Sequence, residues 1–573
     1  MKPARPYGAI AVWAGVWLVV VSSMAASLCA QEATAPRHTG VPQDWSQHHI
    51  VFSRKALAQH PDLIYREPRV LHQAMQRWRD PNFGVFESSE PLSAPADNSI
   101  LHGDWNVTPF GGRLSPNAYP AKFSFDPGAP PDCTNDYVVF GLNQVSTGTQ
   151  ANLLALNNLY SGTSPTGLCG TVPKVLFAYD ITTVTGGHIV TSPVISENGL
   201  KIAFVESIPA NAGLGIAAQT IFHVLTWTAG AGAIGAAAAP PAPPLFVSLP
   251  LPLAKNDVTS SPWIDYVSDI AYVGSANGAI YKITDVFRGA PLLVIDSTWP
   301  LTVINNSALT SPVLDSRLGM LMVGAANGNL YQVNIATGAV AHLTVGAGFN
   351  RGIVAAPIVD VANGTTFVVS SNKGNGTNAV LVEVDTATLA LRAAANIGQG
   401  SSGGVTAVAL YQPALDNNYY NDPSTGSINL CGTSAIDTSP WQYAFGFTVP
   451  VAQPIMNTTA SVAQAITTIP AGSVNARCTG WTEFFNPNFG ASPGTDFFLF
   501  GLNQDCNAAG AAGGCVEEIG INGATTTTTT KTINGGPTGI VVDNYSTAAQ
   551  ASSIYFVSRT INTAYKLTQN GLK

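Results

Sequence analysis

Two stretches of this chain, fifty residues apart, are partial copies of each other. Residues 261–281 read SPWIDYVSDIAYVGSANGAIY, and residues 311–331 read SPVLDSRLGMLMVGAANGNLY. Nine of the twenty-one positions are identical: Ser, Pro, Asp, Val, Gly, Ala, Asn, Gly and Tyr. A period of fifty residues, made of short apolar runs and an Asn-Gly turn, is typical of a β-propeller blade. A β-sandwich, the alternative, does not produce such an echo.

Each copy predicts three strands in order. In the first copy they cover residues 262–265, 270–273 and 279–283, which are rich in β-branched and aromatic residues. Asn277-Gly278 predicts a hairpin turn between the last two strands, because both residues can adopt positive φ. Gly274 and its counterpart Gly324 stand where packed sheets need a small residue.

Weaker copies on both sides of this pair set the number of blades. Residues 136–144, DYVVFGLNQ, echo residues 496–504, DFFLFGLNQ. Candidate inner strands begin near residues 120, 190, 260, 310, 355, 405, 480 and 537. The sequence therefore predicts an all-β fold with a single propeller of about eight four-stranded blades, seven being the alternative, and a short, partly helical N-terminal arm.

The chain divides into a signal peptide at residues 1–30, an arm at 31–100 and the propeller at 101–573. Lys2 and Arg5 form a basic start, an apolar segment follows, and Leu28-Cys29-Ala30 offers a cleavage site. Cys29 also permits a lipoprotein, although Leu28 fits poorly the small residue that lipoprotein cleavage prefers. We expect a secreted protein, extracellular or periplasmic, with no membrane span once the signal is removed.

Six cysteines remain after the signal peptide, and an even number in an exported chain predicts disulfides. Proximity in sequence favours Cys506–Cys515, Cys133–Cys169 and Cys431–Cys478, although six cysteines allow 15 connectivities. No pair has CxxC spacing, which argues against a zinc or haem site. Charged residues make up only 10% of the chain and its net charge is −8, so nucleic acid is not an expected partner.

Three groups of polar residues are candidates for chemical sites. His48 and His49 are adjacent, but no carboxylate is spaced to complete a metal site with them, so surface histidines are the better interpretation. Residues 416–422, DNNYYND, are rich in the oxygen ligands that calcium prefers but lack the Gly and Glu of an EF-hand loop. Asp265, Asp315 and Asp360 recur once per blade, which favours a turn or cap role. The sequence assigns no catalytic, cofactor-binding or metal-binding residue.

The motif YVGSANGAIYKI, preceded by SPWID, resembles the repeat of secreted bacterial quinoprotein-type (PQQ-like) β-propellers. In that family a blade commonly closes with Thr-Gly and, four residues after the Gly, a docking Trp. Here Thr337-Gly338 is present, but His342 occupies the Trp position. The adjacent cysteine pair of the alcohol dehydrogenase branch and the haem motif CxxCH are both absent. The resemblance therefore implies the fold without quinone-dependent catalysis.

The function predicted from these features is a secreted, non-enzymatic propeller, a binding or structural platform for protein, glycan or cell-surface partners, without a cofactor. The alternative is a degenerate quinoprotein-like oxidoreductase or another enzyme that uses the central channel. Ring closure gives a further prediction, because an open ring would expose unpaired strand edges. Residues 538–569 supply only three strands, so we expect residues 103–108 to form the outermost strand of that blade.

Overall fold

We describe the fold from a computed structural model of the chain. The described residues lie in one compact unit that runs from Gly40 to Lys573. They are residues 41–44, 50–52, 54–59, 61, 70–71, 73–74, 77, 101–125, 131–145, 147–163, 166–252, 258–346, 352–374, 377–400, 408–448, 453–506, 513–544 and 550–569. The predicted signal peptide, Cys29, His48 and His49 lie outside this set. No helix among the described residues is long and apolar enough to cross a bilayer.

Eight antiparallel sheets follow one another along the chain, and each forms one blade of a propeller. The first four blades are built from strands that are consecutive in sequence. Blade 1 comprises β4 Ala121–Phe125, β5 Tyr137–Gly141, β6 Leu153–Asn157 and β7 Lys174–Tyr179; blade 2 comprises β8 His188–Ile189, β9 Val194–Ile195, β10 Lys201–Ile208, β11 Gln219–Thr226 and β12 Phe246–Leu251. Blade 3 comprises β13 Trp263–Asp265, β14 Ile270–Gly274, β15 Ala279–Thr284, β16 Leu292–Leu293 and β17 Leu301–Thr302; blade 4 comprises β18 Val313–Asp315, β19 Met320–Gly324, β20 Asn329–Asn334 and β21 Val340–Thr344.

The other four blades follow the same plan, except that blade 8 takes its last strand from the start of the ring. Blade 5 comprises β22 Ile358–Asp360, β23 Thr365–Ser370, β24 Asn378–Asp385 and β25 Leu391–Gln399; blade 6 comprises β26 Ala414–Leu415, β27 Ser427–Thr433, β28 Pro440–Thr448, β29 Ile455–Met456 and β30 Val462–Ala465. Blade 7 comprises β31 Thr482–Asn486, β32 Thr495–Leu502, β33 Gly514–Asn522 and β34 Thr525–Ile533; blade 8 comprises β35 Val541–Asn544, β36 Ser552–Val557, β37 Ala564–Gln569 and β3 Leu101–Val107.

The remaining elements are few. They are strands β1 Val41–Asp44 and β2 Ile50–Val51, helices α1 Arg54–Gln59 and α2 Asn417–Asn421, and 3₁₀ turns at Ala212–Leu214 and Pro423–Thr425. The predicted fold class is confirmed, with eight blades and a partly helical arm. The inner strands begin at residues 121, 194, 263, 313, 358, 414, 482 and 541, close to the positions expected from the repeats.

The Asn-Gly turns differ from the prediction in one respect. Gly278 and Gly328 have φ of 93° and 86°, but Asn277 and Asn327 are not among the residues with positive φ. The reason is loop length, since four residues, 275–278, separate β14 from β15. A loop of that length is usually built around an ordinary turn, so only its last residue must be left-handed.

The repeated Ser-Pro pair joins neighbouring blades at the end of the ring where the inner strands begin. The backbone N–H of Tyr119 donates to Ser192 Oγ at 2.9 Å, that of Ser192 to Ser261 Oγ at 2.9 Å, and that of Ser261 to Ser311 Oγ at 2.8 Å. Gly324 lies against the next blade, because a Cβ there would approach Ile353 Cγ2 to 2.3 Å. The sequence echo therefore marks the contacts between blades as well as the strands within them.

The ring closes as predicted. β3 is antiparallel to β37, with Asn106 opposite Tyr565 and Trp105 opposite Lys566. The Trp105 ring lies 6.2 Å from that of Tyr555, and its indole N–H donates to the carbonyl oxygen of Leu159 at 3.0 Å. The first strand after the arm thus completes the last blade and also contacts the first.

Candidate functional site: the central channel and the rim of blades 6 and 7

The central channel is occupied by the arm of the same chain. β1 pairs antiparallel with β4 on the edge of blade 1 that faces the axis, with Asp44 opposite Ala121. β2 pairs parallel with β22 on the corresponding edge of blade 5, with Ile50 opposite Val359. Sequence reasoning missed this, because it treated the arm as a segment that precedes the propeller.

The arm reaches opposite sides of the ring within a few residues. Blades 1 and 5 are four steps apart in a ring of eight, and only residues 45–49 separate β1 from β2. β1 also contacts the inner strand of blade 2, and β2 contacts that of blade 4. These two strands of the arm therefore lie on opposite sides of the channel, and a ligand there would compete with them.

Two side chains bridge the channel at the end where the inner strands begin. Asn117, just before blade 1, donates from Nδ2 to the carbonyl oxygen of Val354, just before blade 5, at 3.0 Å. The Tyr119 hydroxyl accepts a hydrogen bond from Gln412 Nε2, just before blade 6. A Cβ on Gly480 would approach that hydroxyl to 2.2 Å, and one on Gly539 would approach the Tyr119 ring to 2.2 Å. These two glycines make room for Tyr119 beside the axis.

A buried ionic cluster holds the far end of the arm against blades 6 and 7. Arg77 is fully buried and donates to both carboxylate oxygens of Glu483, at 2.8 and 2.7 Å. Its guanidinium carbon lies 3.7 Å from the centre of the Tyr420 ring. Burial opposes the positive charge, but Glu483, Tyr420 and Asp496 together outweigh it and raise the pKa of Arg77. We call Arg77, Tyr420, Glu483 and Asp496 the arm-docking cluster.

Asp496 is the member of the arm-docking cluster whose negative charge is disfavoured by its surroundings. Burial and the neighbouring Glu483 carboxylate raise its pKa well above the ordinary value. It accepts a hydrogen bond from the backbone N–H of Asn417 at 2.6 Å. The cluster therefore depends on Arg77, since without it the buried Glu483 carboxylate would lack a cation.

The recurring aspartates cap the turns after the inner strands. Asp315 Oδ1 accepts hydrogen bonds from the backbone N–H groups of Arg317 and Leu318, at 3.0 and 3.1 Å. Asp360 Oδ1 does the same for the two equivalent N–H groups of blade 5, at 2.9 and 3.1 Å, and its Oδ2 accepts from the Tyr419 hydroxyl at 2.7 Å. These contacts give the repeated aspartates a structural role.

Residues 416–422 form helix α2 and its caps. Asp416 is the N-cap, and its carboxylate accepts hydrogen bonds from the Tyr419 N–H at 2.9 Å and from Ser427 Oγ at 2.6 Å. Burial raises the pKa of Asp416 to about 6. Asp422 caps the following 3₁₀ turn through the Ser424 N–H at 3.0 Å. The carboxylates of Asp416 and Asp422 therefore act as helix and turn caps.

The six cysteines form three disulfides, in the pairing that sequence proximity favours. Cys133–Cys169 links the β4–β5 connection of blade 1 to its β6–β7 connection, Cys431–Cys478 joins blade 6 to blade 7, and Cys506–Cys515 closes the hairpin between β32 and β33. Glu517 Oε1 lies 3.0 Å from Cys515 Sγ and 3.7 Å from Cys506 Sγ. These three side chains are close enough to share a metal ion, but both sulfurs are already used in a disulfide. Three disulfides are consistent with an oxidising compartment.

A groove beside the Cys431–Cys478 disulfide opens at the end of the ring where the inner strands begin. Its lining includes Leu410, Tyr411, Pro440 and Arg477. Two exposed apolar side chains stand next to it: Ile436 is 85% exposed and Val474 is 40% exposed. The carbonyl oxygen of Val474 accepts hydrogen bonds from Thr438 Oγ1 at 3.2 Å and from Arg477 Nη1 at 2.6 Å, which ties these residues together. We call this surface the rim groove.

Comparison with known proteins finds similarity of overall fold only. Solved structures similar to this chain include BamB from Moraxella catarrhalis, with 12% identity over 82% of this chain and 98% of that one, and a TM-score of 0.38. Sqt1 from Saccharomyces cerevisiae has 10% identity, coverages of 83% and 99%, and a TM-score of 0.44. The Dos1 propeller has 10% identity, coverages of 82% and 95%, and a TM-score of 0.44.

No protein-family model matches the chain, and no curated protein matches it in sequence.

Proposed function

We propose that this protein is an exported binding platform that engages a protein partner through the rim groove. The main observation that supports this proposal is that the arm occupies the central channel. β1 and β2 lie on its axial edges and Asn117 bridges one end, so binding falls to the faces of the ring. Loops on a rigid scaffold are the usual place for binding residues.

The rim groove has the chemistry of a protein-binding surface. Ile436 and Val474 expose apolar area, and Tyr411 and Arg477 are of the residue types enriched at protein interfaces. The Cys431–Cys478 disulfide fixes the groove between two blades, which lowers the entropy cost of binding. A glycan or a cell-surface polymer is the alternative occupant.

The enzyme alternative loses support from the same observation. A substrate in the channel would have to displace β1 and β2 of the arm. Purified protein reconstituted with pyrroloquinoline quinone and calcium should therefore reduce no dye when alcohols and sugars are supplied. Turnover in that assay would replace the platform with an oxidoreductase.

Site-specific photo-crosslinking tests the rim groove. A benzophenone amino acid is placed at Ile436 in the native host, and at Val340 as a control, because Val340 is 41% exposed on the outer strand of blade 4. We expect one protein adduct at position 436, none at 340, and loss of the adduct when Val474→Glu is added. Equal adducts at both positions, no protein adduct, or an adduct that carbohydrate digestion removes would contradict a protein partner at this groove.

A further inference from the structure

Three side chains on the outer half of blade 2 form a continuous hydrogen-bonded chain. Ser248 Oγ lies 2.9 Å from His223 Nδ1, and His223 Nε2 lies 3.0 Å from Glu206 Oε2. The three residues come from β12, β11 and β10, which are adjacent strands of one sheet. They lie on the face of blade 2 that packs against blade 1, far along the chain from the arm and the rim groove.

The register of the sheet brings these residues together. His223 is directly opposite Ser248 on β12 and directly opposite Phe204 on β10. The imidazole is stacked between the rings of Phe204 and Phe246, with centroids 5.1 and 4.8 Å away. Glu206 and His223 are fully buried, whereas Ser248 is only half-buried. The arrangement therefore has a buried end and an end that solvent can reach.

The surroundings of Glu206 fix the protonation pattern of the chain. Its carboxylate accepts hydrogen bonds from the backbone N–H of Thr183 at 3.2 Å and from Thr183 Oγ1 at 2.7 Å. An ionised carboxylate can only accept, so the imidazole must donate to it from Nε2. His223 Nδ1 is then the unprotonated nitrogen, and it accepts the Ser248 hydroxyl proton. A Cβ at Gly187 would lie 1.9 Å from Glu206 Oε1, so the glycine leaves room for this carboxylate.

The strand edge supplies a donor for a developing oxyanion. Thr226 N–H donates to Leu245 O at 2.7 Å, and hydrogen-bonded pairs alternate along an antiparallel ladder. Three positions along the ladder, His223 and Ser248 are therefore a non-hydrogen-bonded pair. The Ser248 N–H accordingly points away from β11. No strand among the described residues pairs with that edge, because β12 is the outermost strand of its sheet. The nucleophile's own N–H is a common oxyanion donor.

We propose that Ser248, His223 and Glu206 form a nucleophilic triad that reacts with esters carrying an apolar acyl group. Ser248 Oγ bonds to the acyl carbon while its proton moves to His223 Nδ1, and the bond to the leaving alkoxide breaks as that alkoxide takes the proton. Water then hydrolyses the acyl-serine by the same route in reverse. Glu206 is a positioning residue that holds the imidazole tautomer. The exposed Leu245 and the half-buried Phe246 give the acyl group an apolar edge to lie against.

Sequence patterns could not have indicated this triad. Its members are 17 and 25 residues apart, in a chain order of Glu, His and Ser. No nucleophile-elbow motif surrounds Ser248, which stands in the middle of a strand rather than in a strained turn. The proposal is independent of the rim groove, since it concerns a different blade and a covalent reaction.

The experiment uses the full mature protein and an alkyl fluorophosphonate, followed by intact-mass measurement and peptide mapping. Attack of Ser248 on phosphorus forms the O–P bond and releases fluoride, with the proton leaving through His223. We expect one adduct on Ser248, and none in Ser248→Ala. Ser473→Ala removes a serine that is half-buried like Ser248 and whose hydroxyl donates to the carbonyl oxygen of Pro470, and it should label like the wild type.

Two further variants test the relay. His223→Gln should label about a hundredfold more slowly, the range expected for loss of a general base. Glu206→Gln should label at least tenfold more slowly while melting within a few degrees of the wild type, a combination that a purely structural role would not produce. If His223→Gln does not fold, the labelling of Glu206→Gln and Ser248→Ala decides whether the triad is present. No adduct on the wild type, an adduct at another residue, or a folded Glu206→Gln that labels at the wild-type rate would overturn the triad.

Discussion

Blade 4 and blade 8 have the same four-stranded order, but they are assembled from different parts of the chain. Blade 4 is a continuous segment, 313–344, whose strands follow one another through short turns. Blade 8 combines 541–569 with β3, which lies more than 400 residues earlier. The comparison shows that one blade plan can be specified either by local hairpins or by a long-range contact.

Blade 8 has buried ion pairs at the seam where the ring closes, that is, between β37 and β3 and between blade 8 and blade 1. Lys566 Nζ lies 2.5 Å from Asp104 Oδ2, and both side chains are fully buried. A second pair, Lys122 with Asp543 at 3.0 Å, joins blade 1 to blade 8 and is equally buried. A strand docked in the wrong register would leave a buried lysine without its carboxylate, which is costly. We interpret these pairs as a means of fixing which strand closes the ring.

The largest effect should come from removing the closing strand. Deleting residues 31–108 takes away β3 and should abolish the cooperative thermal transition followed by circular dichroism. Deleting residues 31–95 keeps β3 and should leave a folded ring, but one that melts lower, because Glu483 and Asp496 lose Arg77. Equal melting of the two deletions would show that β3 is dispensable for closure.

Breaking the buried seam pair should be the next largest effect. Lys566→Met leaves Asp104 buried without its cation, and such a change typically costs about 3–5 kcal/mol of unfolding free energy. His342→Ala on the exposed outer strand of blade 4 is the control and should change stability by no more than about 0.5 kcal/mol. Urea denaturation of both variants makes the comparison. If Lys566→Met is as stable as the control, the Lys566–Asp104 pair does not stabilise the closure of the ring.

The disulfides should differ according to the loop that each one closes. Cys431–Cys478 spans 47 residues and Cys506–Cys515 spans 9. Chain-entropy estimates give about 4 kcal/mol for the longer loop and about 2.5 kcal/mol for the shorter. Paired Cys→Ser variants in guanidinium titrations should show that order. The reverse order would mean that the short hairpin contributes more than its loop entropy.

The smallest effect concerns pH and blade 7. Burial raises the pKa of Glu517 from 4.5 to about 7. Between these values the folded protein holds a proton that the unfolded chain has released, so this group's stabilising contribution is full below about pH 4.5 and is lost as the pH rises to about 7. Glu517→Gln should therefore flatten the fall in unfolding free energy between pH 5 and pH 7. If the substitution leaves the slope of unfolding free energy against pH unchanged, Glu517 does not titrate in this pH range.

Much of the ring could be predicted because blades are locally encoded. The Ser-Pro, Asp and Asn-Gly signals mark the inner strand, its cap and its hairpin, and the missing fourth strand of the last blade pointed to residues 103–108. The arm could not be predicted in the same way. β1 and β2 are four and two residues long, and their partners, β4 and β22, are recognisable only once the ring exists. Short strands of this kind carry no periodicity of their own.

The sequence by itself determined the propeller and the strand that closes it, and it favoured eight blades over seven, since these follow from repeated local patterns of turns and apolar residues. The tertiary structure alone decided what the fold brings together. Arg77 meets Glu483 across 406 residues, and Ser248, His223 and Glu206 align only because three strands pair in one register. Contacts between distant segments depend on the geometry of the whole ring, and no local pattern records them.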